Sequence, residues 1–329
     1  MQQRILGRTG RSVSSIGLGT WQLGADWGDV DESAALDVLD ASVSAGVTFF
    51  DTADVYGDGR SESLIGTFRR ANPSLDLTVA TKMGRRGPQD PAEFTPAHFA
   101  EWTDRSRRNL GVDTLDLVQL HCPPTAVFSS DEVYDSLDAL VDSGAIAAYG
   151  VSVETCDEAL TAIARPHVAS VQIILNAFRL KPLDEVLPAA AAAGVGIIAR
   201  VPLASGLLSG RYTADTAFAA DDHRSYNRDG SAFDVGETFS GVDYAQGVAA
   251  AQEFSALVER TMPGVAPAAA ALAWVAARPG VSSVIPGARN RAQAESNAAA
   301  GSLVVPAELE AGVVELYDRY FRASIHSRW

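Results

Sequence analysis

Apolar residues along this chain follow two alternating rhythms. Short runs dense in Val, Ile, Leu and Phe occupy 47–50, 77–80, 115–120, 146–151, 171–175, 196–199 and 281–285, with a first, weaker run at 15–19. Their brevity, apolarity and β-rich composition predict eight strands. Between them, apolar positions recur at helical spacing around 62–65 and over 98–110, 131–141, 154–164 and 183–193. Strict strand–helix alternation implies parallel pairing through right-handed crossovers.

An open doubly wound sheet satisfies the same alternation. Eight regular units without a break in composition favour closure instead. The expected class is therefore α/β, a (β/α)8 TIM barrel formed by residues 1–329 as one domain. Two segments depart from the repeat. Residues 1–14 carry Leu6-Gly7-Arg8-Thr9-Gly10, whose Thr-Gly suits the turn of an N-terminal β-hairpin. Residues 211–247 are polar and rich in Gly and Asp, which alone reads as a linker. Their position after the seventh strand, and the aromatic residues Phe218, Tyr226, Phe233 and Phe239 among them, favour a long, lid-like active-site loop within the domain at least as strongly. A C-terminal helix is expected over 307–320.

Composition narrows the function. Of 329 residues, 47% are hydrophobic and 20% charged, as in an ordinary globular protein, so a large core is available. A formal net charge of −15 argues against nucleic acid and anionic membranes as partners, since little here would neutralise phosphates. Cys122 and Cys156 are too few for a disulfide framework and lack metal-ligand spacing, so no metal is expected. The polar start Met1-Gln2-Gln3-Arg4 has no signal-peptide core, and no apolar run reaches membrane-spanning length. A cytoplasmic protein is the expectation, with its oligomeric state open.

In a barrel of this kind chemistry gathers at the C-terminal ends of the strands. The polar residues following the apolar runs are, in chain order, Thr20, Asp51 with Tyr56 just beyond, Lys82, His121, Ser152, Gln172 with Asn176, Arg200, and Arg289 after Pro286-Gly287. Each has an ordinary structural explanation. Asp51 suits a turn cap, Lys82 a solvated surface, His121 a satisfied core position, and Tyr56 a loop aromatic. Those explanations do not account for Asp, Tyr, Lys and His falling at three consecutive strand ends. Together the four form a coherent proton-donating unit. A phenol has a pKa near ~10, an adjacent ammonium lowers it, and a carboxylate keeps that ammonium charged. A histidine beside them can orient a substrate oxygen.

These residues, in this order, resemble the aldo-keto reductase family. The likeness runs through Gly17-Leu18-Gly19-Thr20-Trp21, Phe50-Asp51-Thr52-Ala53-Asp54-Val55-Tyr56-Gly57, Ala80-Thr81-Lys82, Leu117-Val118-Gln119-Leu120-His121, Gly150-Val151-Ser152 and Ile285-Pro286-Gly287-Ala288-Arg289. The resemblance implies carbonyl reduction with NADP(H) bound on the barrel itself. It implies Tyr56 as proton donor, Lys82 and Asp51 as its tuning pair, and His121 as substrate orienter. Gly19, Thr20, Trp21 and Asp51 would lie near the nicotinamide ribose, with Ser152 and Gln172 on the carboxamide. Pro202, Leu203, Ser205, Gly206, Leu208 and Arg211 would follow the pyrophosphate. Pro286, Gly287, Arg289, Gln293 and Asn297 would hold the adenosine end.

The residues agree at that last site. Pro286-Gly287 permits close backbone approach, the next turn can open a helix whose N-terminus suits an anion, and Arg289 offers a fork for a 2′-phosphate. NADP is thus favoured over NAD. Two departures stand out: Val153 follows Ser152 where many members have Asn, and Arg200 stands where many stack a Tyr on the nicotinamide. A guanidinium can stack there instead, so Arg200 stays among the expected cofactor contacts. Two other functions compete with a reductase of small-molecule carbonyls. One is a cofactor-binding regulatory or sensor protein of the same fold, with slow turnover. The other is an unrelated barrel hydrolase or lyase. The latter fits poorly, because the five histidines do not converge and a Schiff-base lysine needs no Tyr56.

Overall fold

A computed structural model describes residues 1–24 and 31–329. The expected hairpin is present: β1 (Gln3–Ile5) pairs antiparallel with β2 (Ser12–Ser14). Its turn is a 3-10 turn over Gly7–Thr9 ended by Gly10 at φ +67. Eight parallel strands follow in sequence order: β3 (Leu18–Gly19), β4 (Phe49–Asp51), β5 (Thr78–Met83), β6 (Leu117–His121), β7 (Tyr149–Ser152), β8 (Ser170–Ile174), β9 (Gly196–Arg200) and β10 (Val281–Val284). Single parallel bridges, Ile16 to Val284 and Gly19 to Gly287, join the first strand to the last and close the barrel.

Helices cover the strands outside, save the short one at His223–Tyr226, which lies at the cleft. They are α1 (Glu32–Ser44), α2 (Arg60–Ala71), α3 (Pro96–Leu110), α4 (Asp131–Asp142), α5 (Cys156–Ile163), α6 (Val186–Ala193), the short α7 (His223–Tyr226), α8 (Tyr244–Thr261), α9 (Pro267–Ala276), α10 (Arg291–Ala300), α11 (Ala307–Tyr320) and the short α12 (Arg322–Ile325). The first-turn signals are local. Thr95 accepts from the His98 amide, and Thr155 with Glu158 forms a capping box. The C-terminal helix is α11, at the expected bounds, with α12 after it. None of the described helices is long and apolar enough to cross a membrane.

Strand side chains alternate between barrel interior and helix layer. Phe50, Val79, Val118, Val151, Val171 and Ile197 belong to the large outer core, while Phe49, Ala80, Leu117, Ile198 and Ile285 form a separate inner cluster with Leu6 and Val13 of the hairpin. The hairpin thus plugs the bottom. Its turn lies flat on the strand ends: a Cβ on Gly7, at φ +48, would come within 2.2 Å of the Ala169 carbonyl. The same period of two carries Asp51, Lys82, Gln119, His121, Gln172 and Arg200 onto the inner face above this apolar plug. That is why polar side chains collect at the top.

The segment 211–247 is folded, not a bare loop. It contains α7 and 3-10 turns at Val235–Glu237 and Phe239–Gly241. It is also shorter than expected, because Asp243 accepts from the Gln246 amide and starts α8 at Tyr244. Phe218 and Phe239 pack against Tyr244, and Phe233 against Trp21.

Candidate active site

The top of the barrel is a cleft of about 350 Å³. At its floor, Lys82 Nζ donates to Asp51 Oδ1 at 2.5 Å, to the Thr52 carbonyl at 2.8 Å and to Tyr56 Oη at 3.3 Å. Asp51 Oδ2 accepts from Gln172 at 2.7 Å and from Gln119 at 3.1 Å. Three hydrogen bonds, on both oxygens, thus fix the orientation of that carboxylate. Thr20 Oγ1 donates to the Asp51 carbonyl and accepts from Ser61, tying the end of β3 to the end of β4. Tyr56 stands over the ammonium, its ring centroid 4.9 Å from Nζ. His121 meets the Tyr56 ring edge-on at 5.9 Å.

Electrostatics set the protonation of this group. Burial works to strip Lys82 of its proton, but Asp51 and Tyr56 together outweigh it and raise the ammonium above its ordinary value. Burial raises Tyr56 above 10, with Lys82 pulling the other way. This corrects the expectation of a lowered tyrosine: removing the phenolate from water costs more than one neighbouring ammonium returns. Tyr56 thus carries its proton at neutral pH. Burial, with Arg85, Lys82 and Arg200 nearby, holds His121 neutral, well below 6.5. Its Nδ1 is buried without a hydrogen-bond partner among the described residues.

The cleft runs from this floor across the barrel mouth. Gly19, Thr20, Trp21, Asp51 and Gln172 line it, as do Arg200, Pro202, Leu203, Ser205 and Gly206 along the seventh strand end, and Pro286, Gly287, Arg289 and Gln293 after the eighth. Four residues expected as contacts are not in its lining. Ser152 is buried behind Cys122, whose thiol donates to its hydroxyl at 3.4 Å. Leu208 is in the core, Arg211 points to solvent, and Asn297 supports the turn by donating to the Gly287 carbonyl at 3.0 Å. The first turn of α10 has its Gln293 amide bound by Asn290 and offers the Gln293 side chain to the Arg289 amide.

A sequence model of the aldo/keto reductase family matches residues 15–318. The chain belongs to that family. It is 31% identical over 314 residues to a probable voltage-gated potassium channel subunit beta of Oryza sativa, covering 90% of each. An oxidoreductase of Mycobacterium bovis is 32% identical over 305 residues, covering 90% of this chain and 87% of its own. Among solved structures, a glycerol dehydrogenase from Gluconobacter oxydans superposes with a TM-score of 0.80 at 28% identity, over 97% of this chain and 96% of its own.

Beside the reductase floor the strand-end residue Arg200 stands in a group of charges whose other members strand-end reasoning missed. Arg200 Nη2 donates to Glu154 at 2.8 Å and to the Val153 carbonyl at 2.9 Å, and its Nη1 lies 3.4 Å from Glu237. Arg85 pairs with the same two carboxylates at 3.4 and 3.6 Å. Burial works against ionisation of Glu237, but Arg200 and Arg85 outweigh it and hold its carboxyl low. Burial of Glu154, only partly answered by Arg200, pushes it up to about 7. Cys122 Sγ lies within 4.8 Å of both carboxylates. The guanidinium groups already occupy those oxygens, and burial pushes the thiol up to about 12, so the donor set does not suit a cation. Gln119 was visible as a polar residue inside an apolar strand. Arg85, Glu154 and Glu237 lie in the connections after β5, β7 and β9, where residue order carries no sign that they meet. His223, 5.3 Å from Trp21, gave no signal at all.

Proposed function

We propose that this chain reduces aldehydes or ketones to alcohols with NADP(H), with Tyr56 as proton donor. The observation that carries the reading is one ammonium, Lys82 Nζ, bonded at once to Asp51 and to Tyr56 Oη. The cleft suits such a cofactor, with a guanidinium at Arg289, close backbone at Gly206 and Gly287, and an amide at Gln172 beside the floor. When bound, the cofactor supplies hydride to the carbonyl carbon.

The protein's own groups supply the rest. The substrate oxygen is received between Tyr56 Oη and the neutral His121 ring, whose hydrogen bond orients it. As negative charge develops on that oxygen, the Tyr56 proton moves to it and the alcohol forms. The phenolate left behind is stabilised by the Lys82 ammonium, which Asp51 holds in place with Gln119 and Gln172 behind it. Trp21 and His223, with Phe233 packed behind them, wall the pocket against water. Residues 1–329 act as one domain in this reading, and the two free cysteines fit a cytoplasmic setting.

Tyr56→Phe tests it: kcat for NADPH-dependent reduction should fall by roughly 10²–10⁴-fold, with NADPH affinity kept. Full activity in that variant would falsify the mechanism. The likeness to a channel beta subunit supports a second reading, a cofactor-binding sensor with slow turnover. Single-turnover oxidation of bound NADPH by a panel of carbonyls separates the two, since a sensor oxidises it slowly or not at all with every one of them.

A further inference from the structure

The charge group beside the floor is backed by a residue far from it in sequence. Trp329 is buried, with the Arg179 guanidinium 4.1 Å from its ring centroid, and its Nε1 donates to Asp234 Oδ1 at 3.2 Å. Arg179 is itself only 1% exposed. Its Nη2 donates to the Glu154 carbonyl at 2.5 Å, while Nε and Nη1 have no hydrogen-bond partner among the described residues. The indole face is therefore a main support of that guanidinium.

On its other edges the ring is met by two glycines of the segment over the barrel mouth. A Cβ on Gly236 would lie 3.0 Å from the indole and 2.3 Å from Arg179 Nη1. One on Gly241, at φ +70, would lie 2.3 Å from the indole. Asp234 Oδ1, the acceptor for the indole, also accepts from the Gly236 amide at 2.7 Å. Glu237 follows directly, and its carboxylate reaches Arg200 and Arg85. Trp329 thus backs the two carboxylate residues that hold Arg200 without touching them: Glu154 through Arg179, and Glu237 through Asp234 and Gly236.

We propose that Trp329 is a positioning residue for the cleft, a strut that seats Glu154 and Glu237 so that Arg200 is held at the wall where the nicotinamide end of the cofactor binds. The inference rests on the proposed NADP(H) site. A flat ring is needed because glycine backbone and a guanidinium plane both press on it. An indole is needed because Asp234 takes its N–H.

The test compares Trp329→Ala and Trp329→Phe with the full chain, by two measurements. The first is amide hydrogen exchange over 234–241 without cofactor. The second is NADPH dissociation followed by fluorescence, alongside the single-turnover rate at saturating NADPH. Trp329→Ala is expected to speed exchange locally and NADPH release by about tenfold each, with the single-turnover rate changed much less. Trp329→Phe should fall between. Unchanged exchange over 234–241 overturns the strut. Faster local exchange with unchanged NADPH release overturns its role in positioning, as does exchange raised evenly across the barrel, which marks plain loss of stability. If the alanine variant fails to fold, Trp329→Phe decides by the same criteria. A wild-type chain that binds no NADPH overturns the cofactor reading, and the exchange measurement still decides the strut.

Discussion

Lys82 and Asp51 meet at 2.5 Å with side chains only 1% and 3% exposed, so each is the other's counter-ion in a place water barely reaches. Removing one partner leaves a buried ion uncompensated. Lys82→Met is expected to cost about 3–5 kcal/mol of stability in a urea titration. Asp51→Asn with Lys82→Met together should recover part of that loss while remaining inactive. Equal loss in the single and double variants would show that packing, not charge, sets the penalty.

The turn that presents Tyr56 depends on Gly57. This glycine sits at φ +58, and a Cβ there would come 2.0 Å from the Gly24 carbonyl. Gly57→Ala should destabilise the fold by about 1–3 kcal/mol and lower kcat more than it raises KM, because the shift falls on the adjacent phenol. A stable variant with unchanged kinetics would contradict this.

Asp54, in the same turn, is fully buried, and its carboxyl is pushed up to about 7 by burial and by Glu62, with Arg86 and Arg105 pulling it back. The fold thus favours its protonated form over the unfolded chain's ordinary carboxyl. That contribution to stability is complete below the ordinary carboxylate range and is lost as pH rises through about 7. Melting temperatures measured from pH 4 to 8 should fall more steeply in the wild type than in Asp54→Asn. Parallel curves would assign the slope to other groups.

At the other end of the cleft, Arg289 should discriminate between cofactors. Arg289→Ala is expected to weaken NADPH binding by about tenfold or more and NADH binding little, as titration of each will show. Equal losses would remove the 2′-phosphate from its role.

The barrel was legible because parallel strands buried on both faces read as apolar runs, and each run ends where a polar side chain enters the cleft. Asp51, Lys82 and His121 stand at such ends, and Tyr56 follows one closely, so their convergence could be anticipated. Gln119 could have been, since an amide inside an apolar strand needs a partner. Arg85, Glu154 and Glu237 could not. Each lies in a connection, and their pairing is a product of loops meeting in space. The same limit applied to protonation: pairing with Lys82 is visible in residue order, but the burial that outweighs it for Tyr56 is not.

The bridges joining Ile16 to Val284 and Gly19 to Gly287 have a consequence for assembly. Gly19 and Gly287 both line the cleft and come from nearly opposite ends of the chain. The cleft is therefore whole only where the first and last strands of the barrel are held side by side. Once bound across that seam, the cofactor would act as a clasp, and its concentration would set how tightly the two ends of the chain stay together.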